Sequence, residues 1–261
     1  MVAQRRRRDA ESIEPRAAGT SGFYGADLAH VQHTGFGDFA TGAAPGLLAA
    51  LRRAGIRRGT VVDLGCGAGP WLRALGDAGY DAVGIEISPA LARLARKSAP
   101  RATVRVGSIY ARALPRCDAV TALGEVLGYL PGDGARIPPF GAFFRRVAAA
   151  LRPGGLFAFD LVVRNARKPL HTRNYRIGDD WAVLAESVED PRRGRLTRDI
   201  TTFRRVGATW RRSHELHRVR VPSRDEIADA LDAAGFAVRT SRRYGRFALA
   251  PHRLAFVARR R

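Results

Sequence analysis

Cysteine and lysine are nearly absent from this sequence, and long apolar runs are absent altogether. The two cysteines, Cys66 and Cys117, have no paired spacing, which argues against a disulfide framework and against a cysteine-built zinc site. No apolar run approaches the roughly 20 residues that a membrane-crossing helix needs, so no membrane partner is expected. Arg5 to Arg8 stand near the N-terminus without an apolar stretch behind them, so no secretory signal is expected and the chain reads as cytoplasmic. Lysine is confined to Lys97 and Lys168, so 43 of the 45 basic residues are arginine. With the abundance of alanine and glycine, that bias is what a GC-rich coding sequence produces.

What is present is enough for a full core. A chain of 261 residues accommodates one large domain, or one domain carrying an insertion, and 46% hydrophobic residues fits a globular protein. The formal net charge is +21, with the excess mostly in residues 164–224 and 239–261. A surface this basic attracts RNA, phosphorylated substrates or membranes. A solvated arginine-rich surface is the plainer reading, and nucleic acid is expected only as a nonspecific electrostatic partner.

Residues 1–20 are polar, charged and without periodicity, and read as a disordered basic N-terminus. Residues 21–60 hold an aromatic, histidine-bearing and glycine-spaced stretch, "FYGADLAHVQHTGFGDF" (23–39), read as a lid. A helix is expected over 44–55, with Pro45 near its start and Gly55 at its end. Over 61–163 short apolar strands alternate with helices: "GTVVDLG", "DAVGIEIS", "ATVRVGS", "CDAVTAL" and "LFAFDLVV" are five strands. Ser88 with Pro89 opens one of the intervening helices. Such alternation means a parallel sheet covered on both faces. Residues 164–222 break the pattern, with three antiparallel strands in "WAVLAESV", "RLTRDITTF" and "WRRSHELHRVRV", and read as an inserted β-rich cap. The α/β pattern resumes over 223–261, where "FAVRTSRR" and "HRLAFVAR" supply two last strands. The expected fold is α/β: a Rossmann-like, seven-stranded, mostly parallel sheet with an antiparallel last strand and an inserted antiparallel β cap.

The chemistry concentrates in "VVDLGCGAGP" (61–70). In an open α/β sheet, ligands bind at the carboxyl ends of the strands, and this loop follows the first strand. Glycines there let the backbone turn tightly and approach a ligand closely. Glu86 ends the second strand, where a carboxylate accepts hydrogen bonds from ribose hydroxyls. An adenosine-containing ligand follows. A dinucleotide fingerprint requires glycine at position 70, where Pro70 stands, and Asp63 suits a ligand bearing an ammonium group better than a pyrophosphate.

The set resembles the class I S-adenosylmethionine-dependent methyltransferases, and in particular bacterial small-molecule enzymes with a capped insertion. "VVDLGCGAG" is similar to their first motif and "VGIEIS" to their ribose-binding second. "VRVGSIY", "CDAVTALGEVLGYL" and "LRPGGLFAFDLV" follow in the family's order. The resemblance implies S-adenosylmethionine as cofactor. It implies that Asp63 orients the methionine amine while Gly65, Cys66, Gly67 and Gly69 surround the methionine. Glu86 would take both ribose hydroxyls, Ile87 and Ile109 would sandwich adenine, and Ser108 would bond its edge where the family often has Asp. Leu123 would offer its carbonyl to the amine.

For the acceptor side, His33 is a candidate base on the lid, or a histidine packed within it. Glu125 and Tyr129 follow the fourth strand, where a carboxylate either holds a substrate amine, acts as a base, or caps the next turn. Tyr24, Arg198, Glu215 and His217 are candidate substrate contacts. Glu215 and His217 share a strand face at spacing two and also read as a surface ion pair. His214 and His217 fall on opposite faces, which argues against a metal site. The expected activity is methyl transfer to N or O of a small molecule. The alternatives are an RNA methyltransferase or a non-catalytic cofactor-binding protein. Against RNA, strand four ends in "LGEVLGY", with no Asn-Pro-Pro-Tyr-type element, and neither cysteine sits where a cytosine-attacking thiol would.

Overall fold

The computed structural model describes residues 23–130, 138–165 and 168–261; the segment 1–20, expected to be disordered, lies outside them. The chain enters through helix α1 (Ala26–Gly35) and α2 (Asp38–Arg53). Five strands then follow, β1 (Thr60–Leu64), β2 (Asp81–Glu86), β3 (Thr103–Val106), β4 (Cys117–Ala122) and β5 (Leu151–Val162). Between them lie α3 (Pro70–Asp77), α4 (Pro89–Ser98) and α5 (Phe140–Ala150), with a short 3-10 turn at Val126–Gly128. A second run holds β6 (His171–Ile177), β7 (Trp181–Asp190), β8 (Arg195–Val206) and β9 (Thr209–Arg220). The chain closes with α6 (Arg224–Ala233), β10 (Phe236–Ser241), the two-residue strands β11 (Arg243–Tyr244) and β12 (Phe247–Ala248), and β13 (Arg253–Arg260).

Seven strands form one sheet in the order β10-β13-β5-β4-β1-β2-β3. The β1–β2, β1–β4, β2–β3 and β4–β5 pairs are parallel, and only β13 runs against its neighbours β5 and β10. This is the doubly wound sheet expected, with its last strand reversed. The order turns back at β1 and β4, so the strand ends there open a crevice. Two apolar layers cover the faces. One gathers Phe143, Phe144, Phe157, Phe159 and Phe256; the other gathers Leu47, Leu51, Trp71, Leu72 and Leu75 under α2 and α3. β6 to β9 make a separate four-stranded antiparallel sheet.

Several elements differ from expectation. α2 starts at Asp38 and carries Pro45 inside it. The first turns of this helix put Phe39, Ala40, Ala43 and Ala44 against the second apolar layer, and that burial outweighs the hydrogen bond a proline removes. The second sheet has four strands, not three. β6 escaped because "HTRNYRI" is polar and almost wholly exposed, so it lacks the alternation that marks a half-buried strand. β10 stops at Ser241, and the next residues turn into the small β11–β12 hairpin. Among the described residues, no helix is long and apolar enough to cross a membrane.

Candidate active site

The crevice at the β1 and β4 ends, roofed by α1 and the second sheet, encloses about 1560 Å³. Asp63, Gly65, Cys66, Gly67, Glu86, Ile87, Ser108, Ile109 and Leu123 line one part of it. Tyr24, His33, Glu125, Tyr129 and Arg198 line the rest. Residues spread over more than 170 positions of chain thus meet in one space.

On the glycine-loop side, Gly65 and Gly67 both have left-handed φ, 65° and 56°. A Cβ on Gly65 would lie 2.6 Å from Val126, whereas one on Gly67 would meet nothing. The first glycine therefore serves packing, and the second keeps open space for a ligand. Glu86 is buried, and its oxygens accept the backbone N–H groups of Gly67 and Ser88, each at 2.9 Å. A carboxylate offers about four lone-pair sites, so roughly two remain for a ligand. Burial raises its carboxyl above the ordinary range, against the opposing pull of those N–H groups. Asp63 is also buried. It accepts the Thr121 hydroxyl at 2.7 Å, which itself accepts Trp71 Nε1 at 3.0 Å. Burial, with a smaller push from Glu86, lifts the Asp63 carboxyl to about 7, against the Thr121 hydrogen bond. The Cys66 thiol is raised by burial and packs toward Gly84, so it is inert. Ser108 accepts the Tyr110 N–H at 3.2 Å. Ile87 stands exposed while Ile109 is buried.

On the acceptor side, Glu125 takes a left-handed φ of 61°, which a non-glycine residue adopts only where its surroundings hold it. Asp160, wholly buried near the carboxyl end of β5, accepts the Gly124 and Glu125 N–H groups at 2.9 and 3.0 Å. Arg198 on β8 reaches Glu125 at 2.8 Å and the Tyr129 hydroxyl at 3.0 Å. Arg253 on β13 lies 3.3 Å from Glu125 and 3.4 Å from Asp160. Burial by itself would raise the Glu125 carboxyl, but the two guanidiniums together hold it below the ordinary value. One of its oxygens, Oε2, is buried without a protein partner. Tyr24 and Tyr129 share a hydroxyl contact of 3.2 Å, and burial pushes both phenols up.

Three expected residues do not line the cavity. Gly69, with φ 86°, backs onto Ala95 and Ser98 of α4, so it opens α3 rather than facing a ligand. Glu215 and His217 are neither substrate-facing nor on a surface: both are buried, joined at 2.8 Å. Glu215 accepts the Tyr24 and Gly25 N–H groups, each at 2.9 Å. The His217 ring packs among Phe23, Tyr24 and Tyr129. The pair thus pins the turn that leads into α1, and Ser88 Oγ holds the Tyr24 carbonyl from the other side at 2.7 Å. His33 lines the mouth of the cavity, exposed. His214 faces away and pairs with Asp199 at 2.9 Å. Among the described residues, no cluster of His, Cys, Asp or Glu suits a metal. Thr121, Asp160 and Arg253 were missed. Only a buried acid in "LFAFDLVV" hinted at Asp160, because a charge in a continuous apolar strand must be paired.

Residues 39–241 match the model of a methyltransferase-domain family, and the chain belongs to that family. It is an S-adenosylmethionine-dependent enzyme, and the donor set agrees: a buried carboxylate at the β2 end, a second beside the glycine loop, and open space over Gly67. Over 217 residues, 82% of this chain and 84% of the relative, it is 26% identical to the dTDP-3-amino-3,6-dideoxy-alpha-D-glucopyranose N,N-dimethyltransferase of Streptomyces fradiae. Among solved structures, the sugar N-methyltransferase KedS8 from Streptoalloteichus matches with a TM-score of 0.73 at 20% identity, over 95% of this chain and 100% of that one. The S-adenosylmethionine-bound CalS10, an amino pentose methyltransferase from Micromonospora echinaspora, matches with a TM-score of 0.70 at 20% identity, over 90% of this chain and 97% of that one. Likeness at those identities speaks for the fold.

Proposed function

We propose that this enzyme methylates the nitrogen of a small molecule, an amine carried on a nucleotide-linked sugar. The observation that carries the reading is the buried carboxylate of Glu125, held ionised by Arg198 and Arg253, with one oxygen left unbonded in the protein. S-adenosylmethionine, when bound, would supply a methyl carbon that the lone pair of a neutral amine attacks in line, the S–C bond breaking to release S-adenosylhomocysteine and the amine's proton passing to solvent. Positive charge then grows on the acceptor nitrogen, and a fixed carboxylate beside it favours that change. A hydroxyl acceptor would instead need a base, and this side of the cavity offers poor ones. Glu125 is too acidic to take a proton at neutral pH, while Tyr24 and Tyr129 hold theirs tightly. His33 stands at the mouth.

Size supports two occupants. A single ligand pocket is about 300–1,000 Å³, and this cavity is about 1560 Å³, so cofactor and acceptor fit side by side. Lys168, His171 and Arg242 also line it, a basic rim suited to a diphosphate. In this reading Asp63 orients the methionine amine, and the backbone at Gly65 to Gly67 lies along the methionine. Glu86 takes the ribose hydroxyls, Ile87 and Ile109 flank adenine with Ser108 at its edge, and Leu123 offers its carbonyl. Turnover of methyl-labelled cofactor with a bacterial extract, fractionated into small molecules, protein and RNA, tests it. Label should enter small amines; label confined to RNA would overturn the reading.

A further inference from the structure

The strained backbone on the acceptor side has its support outside the cavity. Gly124 and Glu125 are successive left-handed residues, with φ of 86° and 61°. Glycine adopts that conformation freely, whereas Glu125 adopts it only where its surroundings impose it. The imposing group is the buried Asp160 carboxylate, on which four donors converge. Oδ1 accepts the Gly124 N–H at 2.9 Å and the Tyr244 hydroxyl at 3.3 Å. Oδ2 accepts the Glu125 N–H at 3.0 Å and lies 3.4 Å from Arg253 Nε. Arg253 in turn stands 3.3 Å from Glu125 Oε1. Asp160 thus holds Glu125 twice, at its backbone directly and at its side chain through Arg253.

We propose that Tyr244 is a positioning residue for methyl transfer: through Asp160 it fixes Glu125, so that the unpartnered Oε2 meets the acceptor amine. This rests on the acceptor reading of Glu125 given above. Neither Tyr244 nor Asp160 lines the cavity, so any effect they have on turnover passes through Glu125 and Arg253. Tyr244 is itself held firmly. Its strand β11 sits directly on α2, where a Cβ on Gly46 would lie 2.4 Å from the Tyr244 carbonyl oxygen. Across the hairpin, Phe247 packs edge-on against Phe39, and the Arg253 guanidinium stands over the Phe39 ring at 4.9 Å. The hairpin therefore supports both members that hold Glu125. Burial and the neighbouring Asp160 charge push the Tyr244 phenol well above its ordinary value, so it stays protonated and donates. Without that hydroxyl, a buried carboxylate oxygen loses one of its two donors, and the turn loses part of its anchor.

Tyr244→Phe removes the hydroxyl and keeps the ring. Amide hydrogen exchange over residues 123–129 needs no acceptor, and in this variant it should quicken at least tenfold at Gly124 and Glu125. S-adenosylhomocysteine affinity should stay within about twofold, because Glu86 and Asp63 are held by other partners. With a nucleotide-linked amino sugar, kcat should fall at least threefold at little change in KM. In a Glu125→Gln background the same substitution should cost nothing further, because both changes act through one carboxylate. Should Tyr244→Phe fail to fold, Asp160→Asn, which keeps the shape and loses one accepting oxygen, is read in the same way. Unaltered exchange would overturn the proposal. So would an unaltered kcat where Glu125→Gln alone is impaired, or losses that multiply in the double variant. An unaffected Glu125→Gln enzyme would instead sink the acceptor reading, and the exchange rates would still decide whether Tyr244 holds the turn.

Discussion

Two carboxylates in the glycine-loop half of the cavity differ in their surroundings. Glu86 is a fixed acceptor whose oxygens already hold two N–H groups, so its remaining lone pairs are aimed. Glu86→Ala should weaken S-adenosylhomocysteine binding by about 1.5–3 kcal/mol, the range for hydrogen bonds to a charged group, as read by calorimetry; unchanged affinity in the folded variant would count against the ribose contact. Asp63 is a titrating group, raised to about 7 chiefly by burial. The free protein therefore binds a proton there below that pH, whereas a ligand ammonium favours the ionised form. Affinity should fall by about tenfold for each unit of pH below 7. Asp63→Asn should flatten the profile, and an unaltered slope in that variant would assign the titration elsewhere. Both acids were legible in the sequence because they stand at the carboxyl ends of β1 and β2 at a recognisable spacing. Asp160, Thr121 and Arg253 were not, because their roles exist only once β4, β5 and β13 lie side by side. No local pattern encodes that adjacency.

At the level of elements, the entry to α1 is held from both flanks. Ser88, from the start of α4, bonds the Tyr24 carbonyl, and Glu215, from β9, takes the Tyr24 and Gly25 N–H groups. Asp27 on α1 is further tied to Arg211 and lies 3.5 Å from Arg204. The lid is thus pinned to the core beside Glu86 and to the second sheet at once. Glu215→Ala would leave two buried N–H groups and His217 unpaired, at a cost of about 1–3 kcal/mol for each group left unsatisfied. The expected result is a lower melting temperature together with at least a tenfold loss in kcat/KM for acceptor; wild-type kinetics would show that the turn plays no part in catalysis. The sequence marked residues 23–39 as unusual without marking them as helical. Gly35 and Gly37 sit beside the α1–α2 junction, and the helix is stabilised by tertiary contacts to Trp181 and Val183 rather than by strong periodicity. β6 was invisible for the converse reason, being mostly polar and exposed on both faces, with Tyr175 and Ile177 as its large apolar side chains. The parallel strands, by contrast, were legible as apolar runs with glycine or proline at their ends.

Across the whole molecule, the arginine excess and the roofed crevice make separable demands. A chain of net charge +21 should bind RNA at low salt, and that binding should collapse between 50 and ~200 mM salt because it rests on counterion release. Gel-shift titration with unrelated RNAs checks this, and salt-resistant, sequence-selective binding would contradict it. Methyl transfer to a small amine, shielded beneath α1 and the second sheet, should respond far less to salt. The central claim is that a buried, ionised Glu125 favours nitrogen as the acceptor. Its most direct measurement is the rate of methyl transfer to a nucleotide-linked amino sugar and to its hydroxyl analogue, with the purified enzyme and with Glu125→Gln. The account predicts N-methylated product from the amine, no detectable transfer to the hydroxyl analogue, and a fall of about tenfold or more in the variant. Equal transfer to the hydroxyl analogue, or an unaffected Glu125→Gln enzyme, would contradict it.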